Sequence, residues 1–219
     1  MPKVKASARD RLTGLRGRTR FDTVFSEMVS RAVADTGAVS IGVLDIDLFG
    51  RINGEYGRSA GDAVLQCLAE ALNTYFQDSA QVFRFGGDAF AVFWPDLEKE
   101  QALLVFEAFR KEFSGRHVIT VDAVSLELPL TLSAGLAAYP DDGAEAVDLV
   151  NKANEALYRA KVTGRDKVCL AREEKMVTKT SHYTQGQLLG LRRLSEREGF
   201  GEAVLLREAL NDLLRKYNA

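Results

Sequence analysis

Cysteine is almost missing from this chain of 219 residues: there are two, Cys67 and Cys169. Both fall inside apolar runs, and neither belongs to a CxxC or other metal-ligand spacing. Two buried free thiols in a reducing cytoplasm is the reading that fits, and a cysteine-built metal site is excluded. Long hydrophobic runs are missing as well. No stretch approaches the roughly 20 apolar residues that a membrane span requires. The opening Met1-Pro2-Lys3-Val4-Lys5 has no apolar core behind it, so the pattern of a secretory leader is not there. Nor is there an excess of one charge. Lys and Arg number 29 against 31 Asp and Glu, a net charge of -2, which gives no whole-chain attraction to nucleic acid or membrane. What is present is a hydrophobic share of 46% and a charged share of 27%, those of a globular protein. The length suits one domain with a small appendage, or one larger domain, and a cytoplasmic protein without a membrane partner is expected.

The stretch around which the chain is organised is Val82-Phe83-Arg84-Phe85-Gly86-Gly87-Asp88-Ala89-Phe90-Ala91-Val92-Phe93-Trp94. Two Phe- and Val-rich runs flank a Gly-Gly pair, the pattern of two short strands joined by a tight turn. Asp88 then stands at the tip of a hairpin. It is either a turn-favoured surface carboxylate or one held by sheet on both flanks so that it can ligate a cation. A second acidic site bears on that choice. Val39-Ser40-Ile41-Gly42-Val43-Leu44-Asp45-Ile46-Asp47 reads as a strand ending in acid, and residues two apart share a face. Asp45 and Asp47 side by side would repel unless a cation or a shifted pKa relieved them; the plain alternative is a strand leaving the core.

Taken in order, Asp10-Arg11-Leu12-Thr13-Gly14-Leu15 reads as a turn before a first helix over 20–34, which Gly37 closes. After the acidic strand, Asn53-Gly54-Glu55-Tyr56-Gly57 reads as a loop. A helix follows from about Ser59 as N-cap, with Val64, Leu65, Leu68 and Leu72 in its apolar stripe. Beyond the Gly-Gly hairpin comes a helix over 98–113. Val118–Leu126 and Leu130–Ala138 then read as a second hairpin, interrupted near Pro129. A helix over 145–162 stops at Gly164, and Lys167–Leu170 is a last strand. This order predicts an α+β fold, a ferredoxin-like palm with helices packed on a mostly antiparallel sheet.

The residues in this order resemble the GGDEF family of diguanylate cyclases over positions 10 to about 170. The matching pieces are Asp10–Leu15, Asp45-Ile46-Asp47-Leu48-Phe49, Ile52-Asn53, Gly57, Ala60-Gly61-Asp62, Arg84–Phe90, and Ala156–Lys161 with Gly164-Arg165. The resemblance implies a domain over 1–171 that binds GTP, pairs as a homodimer and joins two GTP into cyclic di-GMP with release of pyrophosphate. It implies Asp45 and Asp88 as catalytic carboxylates holding Mg2+ (or Mn2+), with the Ile46 carbonyl as a further ligand. It implies Asn53 and Asp62 at the guanine edge, and Lys161, Arg165 and the amides near Leu48 and Phe49 at the phosphates. The sequence also departs from the family pattern. Ala89 stands where a Glu is usual, Gly50 for a Lys, Gly54 for an Asp and Arg58 for a His. The product-inhibition signature would fall at Gln77–Ala80 and is absent. Binding of metal and nucleotide is expected to survive these changes, with turnover slowed or lost. No sensor domain precedes the palm in this sequence, so control by the family's usual N-terminal input is not expected.

Residues 172–219 lie beyond the resemblance. Met176–Tyr183 reads as an extended strand, 184–198 as a helix with Leu188, Leu191 and Leu194 on one side, and Gly199-Phe200-Gly201 as a break. A second helix carries Val204, Leu205, Ala209, Leu210, Leu213 and Leu214. This strand-helix-helix order is similar to the ribbon-helix-helix family, which implies pairing of two chains and a DNA partner met by Lys179 and Ser181. The alternative is a helical hairpin that packs on the palm or builds a dimer. A guanine-nucleotide-sensing DNA regulator is accordingly the second functional expectation, beside the cyclase.

Overall fold

The computed structural model describes residues 9–35, 37–171 and 181–198, with isolated positions between 202 and 216. The chain divides into two compact units, Met1–Glu174 and Lys175–Ala219. The first unit runs α1 (Arg18–Asp35), β1 (Val39–Ile46), α2 (Phe49–Tyr56), α3 (Arg58–Phe76), β2 (Gln81–Gly86), β3 (Ala89–Pro95) and α4 (Lys99–Phe113). It continues with β4 (Gly115–Val121), β5 (Val124–Leu130), β6 (Leu132–Tyr139), α5 (Ala146–Val162) and β7 (Val168–Leu170). Five strands form one sheet in the order β2-β3-β1-β6-β7, antiparallel apart from the β6–β7 pair. This is the mixed α+β palm that the sequence predicts.

β1 is the central strand, and all eight of its residues are buried. A strand covered on both faces must be apolar on both, which explains its near-continuous Val, Ile and Leu content. Alternation then divides the core in two. Leu44 and Ile46 join Val64, Leu68, Phe106 and Phe109, residues of α3 and α4, on one side of the sheet. Ile41 and Val43 join Phe21, Phe25, Leu149 and Leu157, residues of α1 and α5, on the other. By the same parity Asp45 belongs to the face covered by α5. Gly135 in β6 lets α5 lie flush on the sheet, because a Cβ there would overlap the backbone at Ala153 and Leu157.

Three expectations need correction. Asn53–Gly57 is no loop: Asn53 to Tyr56 close helix α2, and only Gly57 (φ 83°) interrupts the chain before α3. Asn and Gly are poor helix formers, so packing of α2 on α3 overrides their turn preference. The cap of α3 is therefore Gly57, with Arg58 its first residue and Ser59 inside it. The second hairpin is also differently built. β4 pairs with β5 around Asp122-Ala123 (φ 48° and 66°), as a separate two-stranded sheet. Pro129 lies within β5 opposite Arg116, which a two-stranded ribbon tolerates because one side of each strand is an edge. β6 belongs to the main sheet beside β1. Neither Asp122 nor Ala123 is the glycine or asparagine that usually announces a left-handed hairpin turn, which hid it.

The second unit contains α6 (Gln185–Glu198). Thr184 caps it reciprocally: the Gln187 amide donates to Thr184 Oγ1 at 3.3 Å, and the Thr184 amide to Gln187 Oε1 at 2.9 Å. Of the strand expected over Met176–Tyr183, Lys179 and its neighbours to 180 lie outside the described residues. Ser181, His182 and Tyr183 are exposed and belong to no strand. Most of the second expected helix, with Val204, Leu213 and Leu214, also lies outside the described residues. Among the described residues no helix is long and apolar enough to cross a membrane.

Gly135→Ala is expected to lower unfolding free energy by about 3 kcal/mol in urea denaturation, since the clash is with helix backbone. Gly54→Ala, where an added Cβ meets nothing within 4 Å, is expected to be neutral or mildly stabilising by the same measurement.

Candidate functional site

The register of the sheet decides what can meet. Asp45 lies directly opposite Ala89 on β3 and Ser133 on β6. Direct cross-strand partners share a face, so Ala89, Asp45 and Ser133 stand in a row on the α5 side. Asp88 is the residue before Ala89, half-buried in the turn between β2 and β3. Asp88 is thereby near enough to the end of the central strand for its charge to act on the Asp45 carboxyl.

Asp45 is 7% exposed. Lys161 Nζ, from the last turn of α5, donates to its Oδ2. Its Oδ1 is buried and has no hydrogen-bond partner. Burial pushes the Asp45 carboxyl up to about 6; Lys161 opposes that rise, while the charges of Asp88 and Asp47 add to it. Asp47 is different. Its Oδ1 accepts from Ser133 Oγ at 2.7 Å, and its Oδ2 from Thr131 Oγ1 at 2.8 Å and the Asp166 amide at 3.0 Å. Asp47 is fully engaged in tying β1, β6 and the loop after α5 together, and Asp45 alone keeps an oxygen to offer.

The Gly-Gly turn is itself anchored. Arg84 donates to the Gly87 carbonyl from Nη2 at 2.8 Å and to Asp10 Oδ1 from Nη1 at 2.7 Å. Asp10 also accepts from the Thr13 amide at 2.9 Å and the Thr13 hydroxyl at 2.8 Å. The Arg84 amide bonds to the Arg16 carbonyl at 2.9 Å, so the lead-in segment and β2 form one hydrogen-bonded unit.

Asn53 lies against Gly61 where α2 packs on α3. A Cβ on Gly61 would overlap the Asn53 carboxamide and come within 3.2 Å of Phe49 Cζ, so only glycine admits this approach. Asp62, the next residue, is exposed. Leu48 is exposed with φ 57° and starts α2, whose first amides have no acceptor within the helix. A groove of about 300 Å³, lined in part by Asp47, Leu48, Ile52 and Thr131, adjoins this point. Arg165 is exposed with φ 62°, in the loop whose Asp166 accepts from Arg110 and Ser114. Ile46 points its side chain into the opposite core and has only its carbonyl to contribute.

Among the described residues no group of three or more His, Cys, Asp or Glu side chains forms a metal cluster. Magnesium commonly takes one or two carboxylates and completes its shell with water and phosphate oxygens. The unpartnered Oδ1 of Asp45 beside Asp88 fits that reduced set.

A sheet of this order, with helices on both faces and acidic residues at the end of its central strand, defines a mixed α+β palm. The family model "Diguanylate cyclase, GGDEF domain" matches residues 7–167, and the chain belongs to that family. It is similar to the diguanylate cyclase DgcP of Pseudomonas aeruginosa, 36% identical over 163 residues, covering 74% of this chain and 24% of that protein. The cyclic di-GMP phosphodiesterase NbdA of the same organism is 31% identical over 157 residues, covering 72% of this chain and 20% of NbdA. The chain thus spans about a quarter or less of the length of these two curated relatives. Among solved structures, the GGDEF domain of DgcB from Caulobacter crescentus in complex with c-di-GMP superposes with a TM-score of 0.71 at 25% identity, covering 79% of this chain and all (100%) of that one. The GGDEF domain of YfiN (TpbB) from Pseudomonas aeruginosa gives 0.69 at 28% identity, covering 74% and 99%.

The links that sequence reasoning missed are long-range. Ser133 and Thr131 hold Asp47 across more than 80 residues, and no local pattern announces that. The Arg84–Asp10 pair joins two stretches quoted for the family resemblance, which was the available signal.

Because its folded pKa is raised from 3.8 to about 6, Asp45 favours the folded state below about pH 4 and loses that contribution as pH rises through 6. Without divalent metal, the stability of wild type relative to Asp45→Asn is expected to fall between pH 4 and 6, by on the order of 3 kcal/mol, and to level off above. Parallel denaturation curves across that range would show that Asp45 is not the titrating group.

Proposed function

We propose that the palm binds a guanine nucleotide with Mg2+ or Mn2+, and that its conversion of GTP to cyclic di-GMP is slow or lost. The observation that carries this reading is a buried carboxylate, Asp45, with one unpartnered oxygen beside Asp88. Asp45, Asp88 and the Ile46 carbonyl would hold the divalent ion, which when bound supplies charge neutralisation at the α-phosphate. The chain's own residues do the rest. Asn53, fixed against Gly61, and Asp62 face the guanine edge, where an aspartate accepts from the N1 and N2 hydrogens. The amides at Leu48 and Phe49 and the cations Lys161 and Arg165 receive the phosphates.

Turnover is where the site is short. Ala89 is the direct neighbour of Asp45 across the sheet, so the carboxylate that the family pattern has there would stand at the same centre. An alanine neither adds a ligand nor accepts a proton from the attacking hydroxyl, and loss of such a group costs on the order of 10²-fold or more. Joining two nucleotides further requires two palms face to face, a homodimer.

The test is a thermal-shift series with GTP, cyclic di-GMP and ATP, with and without Mg2+. GTP with Mg2+ is expected to raise the melting temperature more than ATP, and Asp45→Ala is expected to abolish the Mg2+ dependence. Gly61→Ala, which displaces Asn53, is expected to weaken GTP binding about tenfold while the palm stays folded. Ala89→Glu is expected to raise cyclic di-GMP formation by on the order of 10²-fold. No shift with GTP and Mg2+ at millimolar concentrations overturns the reading.

A further inference from the structure

We propose that Lys161 is a tethered cation that occupies Asp45 in the absence of a divalent ion and must leave it when one binds, so that Lys161 sets the metal affinity of the site. This rests on the reading of Asp45 and Asp88 as metal-holding carboxylates given above.

Four observations carry it. The Lys161 ammonium bonds to Asp45 Oδ2, while Oδ1 of the same carboxylate is buried and unpartnered. Asp45 therefore has its charge half answered: one oxygen holds a cation and the other holds nothing. Secondly, the position directly across the sheet is Ala89, so the row holds no other acidic side chain to strengthen the pull on a divalent ion. Competition from an internal cation weighs more at a site with fewer carboxylates. Thirdly, the backbone that carries Lys161 is fixed, because Gly135 seats α5 directly on β6. The ammonium is thus delivered to Asp45 by a rigid support. Fourthly, the Lys161 side chain is 32% exposed against 10% for Asp45, so it has a way out into solvent that Asp45 does not.

The physics of exclusion is simple. An ammonium and a divalent cation on one carboxylate are three positive charges within a few ångströms, in a partly buried place where repulsion is poorly screened. One of them has to go, and the long flexible stem of lysine makes it the one that can. Anionic phosphate oxygens arriving with the metal give the displaced ammonium a new partner. Metal by itself then binds weakly, since nothing rewards Lys161 for leaving.

The test is direct titration of the full chain with Mn2+ alone, read by the electron paramagnetic resonance signal of free Mn2+, with metal-induced melting shifts alongside. Lys161→Met is expected to bind Mn2+ about tenfold more tightly than wild type. It is also expected to melt lower without metal and to recover more on adding it, since an unanswered buried carboxylate is left behind. Lys161→Arg, which keeps the cation, should stay near wild type. Lys152→Met, a charge removed from the same helix away from Asp45, controls for the general field and should also stay near wild type. Equal or weaker Mn2+ binding by Lys161→Met overturns this inference while leaving the metal reading intact, provided that Asp45→Ala binds less than both. An equal gain in Lys152→Met overturns it too, because the effect would then be one of net charge. Absence of Mn2+ binding in wild type and Lys161→Met alike overturns both.

Discussion

Burying a carboxylate at the end of a strand covered on both faces is unfavourable, and much of this domain's edge is arranged around offsetting that cost. Asp45 cannot turn to solvent, because β3 and β6 flank it and α5 covers it. The fold answers with one lysine and leaves one oxygen unanswered. A polar atom left so is expensive in a protein of ordinary stability.

The neighbouring carboxylate shows what a fully satisfied acid looks like in the same place. Asp47 is as buried as Asp45 but is satisfied on both oxygens by hydroxyls and an amide. Those bonds fix the end of β1 to the start of β6 and to the loop that follows α5. Lys161 at the end of α5 and Arg165 in that loop are thereby placed relative to Asp45. The two acids, two apart at the end of the strand, thus differ: Asp47 is satisfied on both oxygens and Asp45 on one.

Much of the palm was legible in the sequence because its cues are local. The apolar run of β1, the Gly-Gly pair and the stripes of α3 and α5 each announce themselves within a window of a dozen residues. The positions of Asp45 near the end of β1 and of Asp88 in the turn before β3 were legible through the same cues, while their pairing came from the family resemblance. What failed was local too, but misleading. Asn53 and Gly54 speak for a loop, and only contact with α3 keeps them helical; Asp122-Ala123 makes a hairpin without its usual residues. The contact of Gly61 with Asn53 could not be read at all. A glycine in a helix says that something comes close, and only the three-dimensional arrangement says what.

The bonds of Arg84 have one more implication. A single guanidinium holds the turn that carries Asp88 and the loop at Asp10, while the Arg16 carbonyl holds the Arg84 amide. The entry segment and the turn at Asp88 are therefore held by one side chain, and losing the Arg84 guanidinium would free both together.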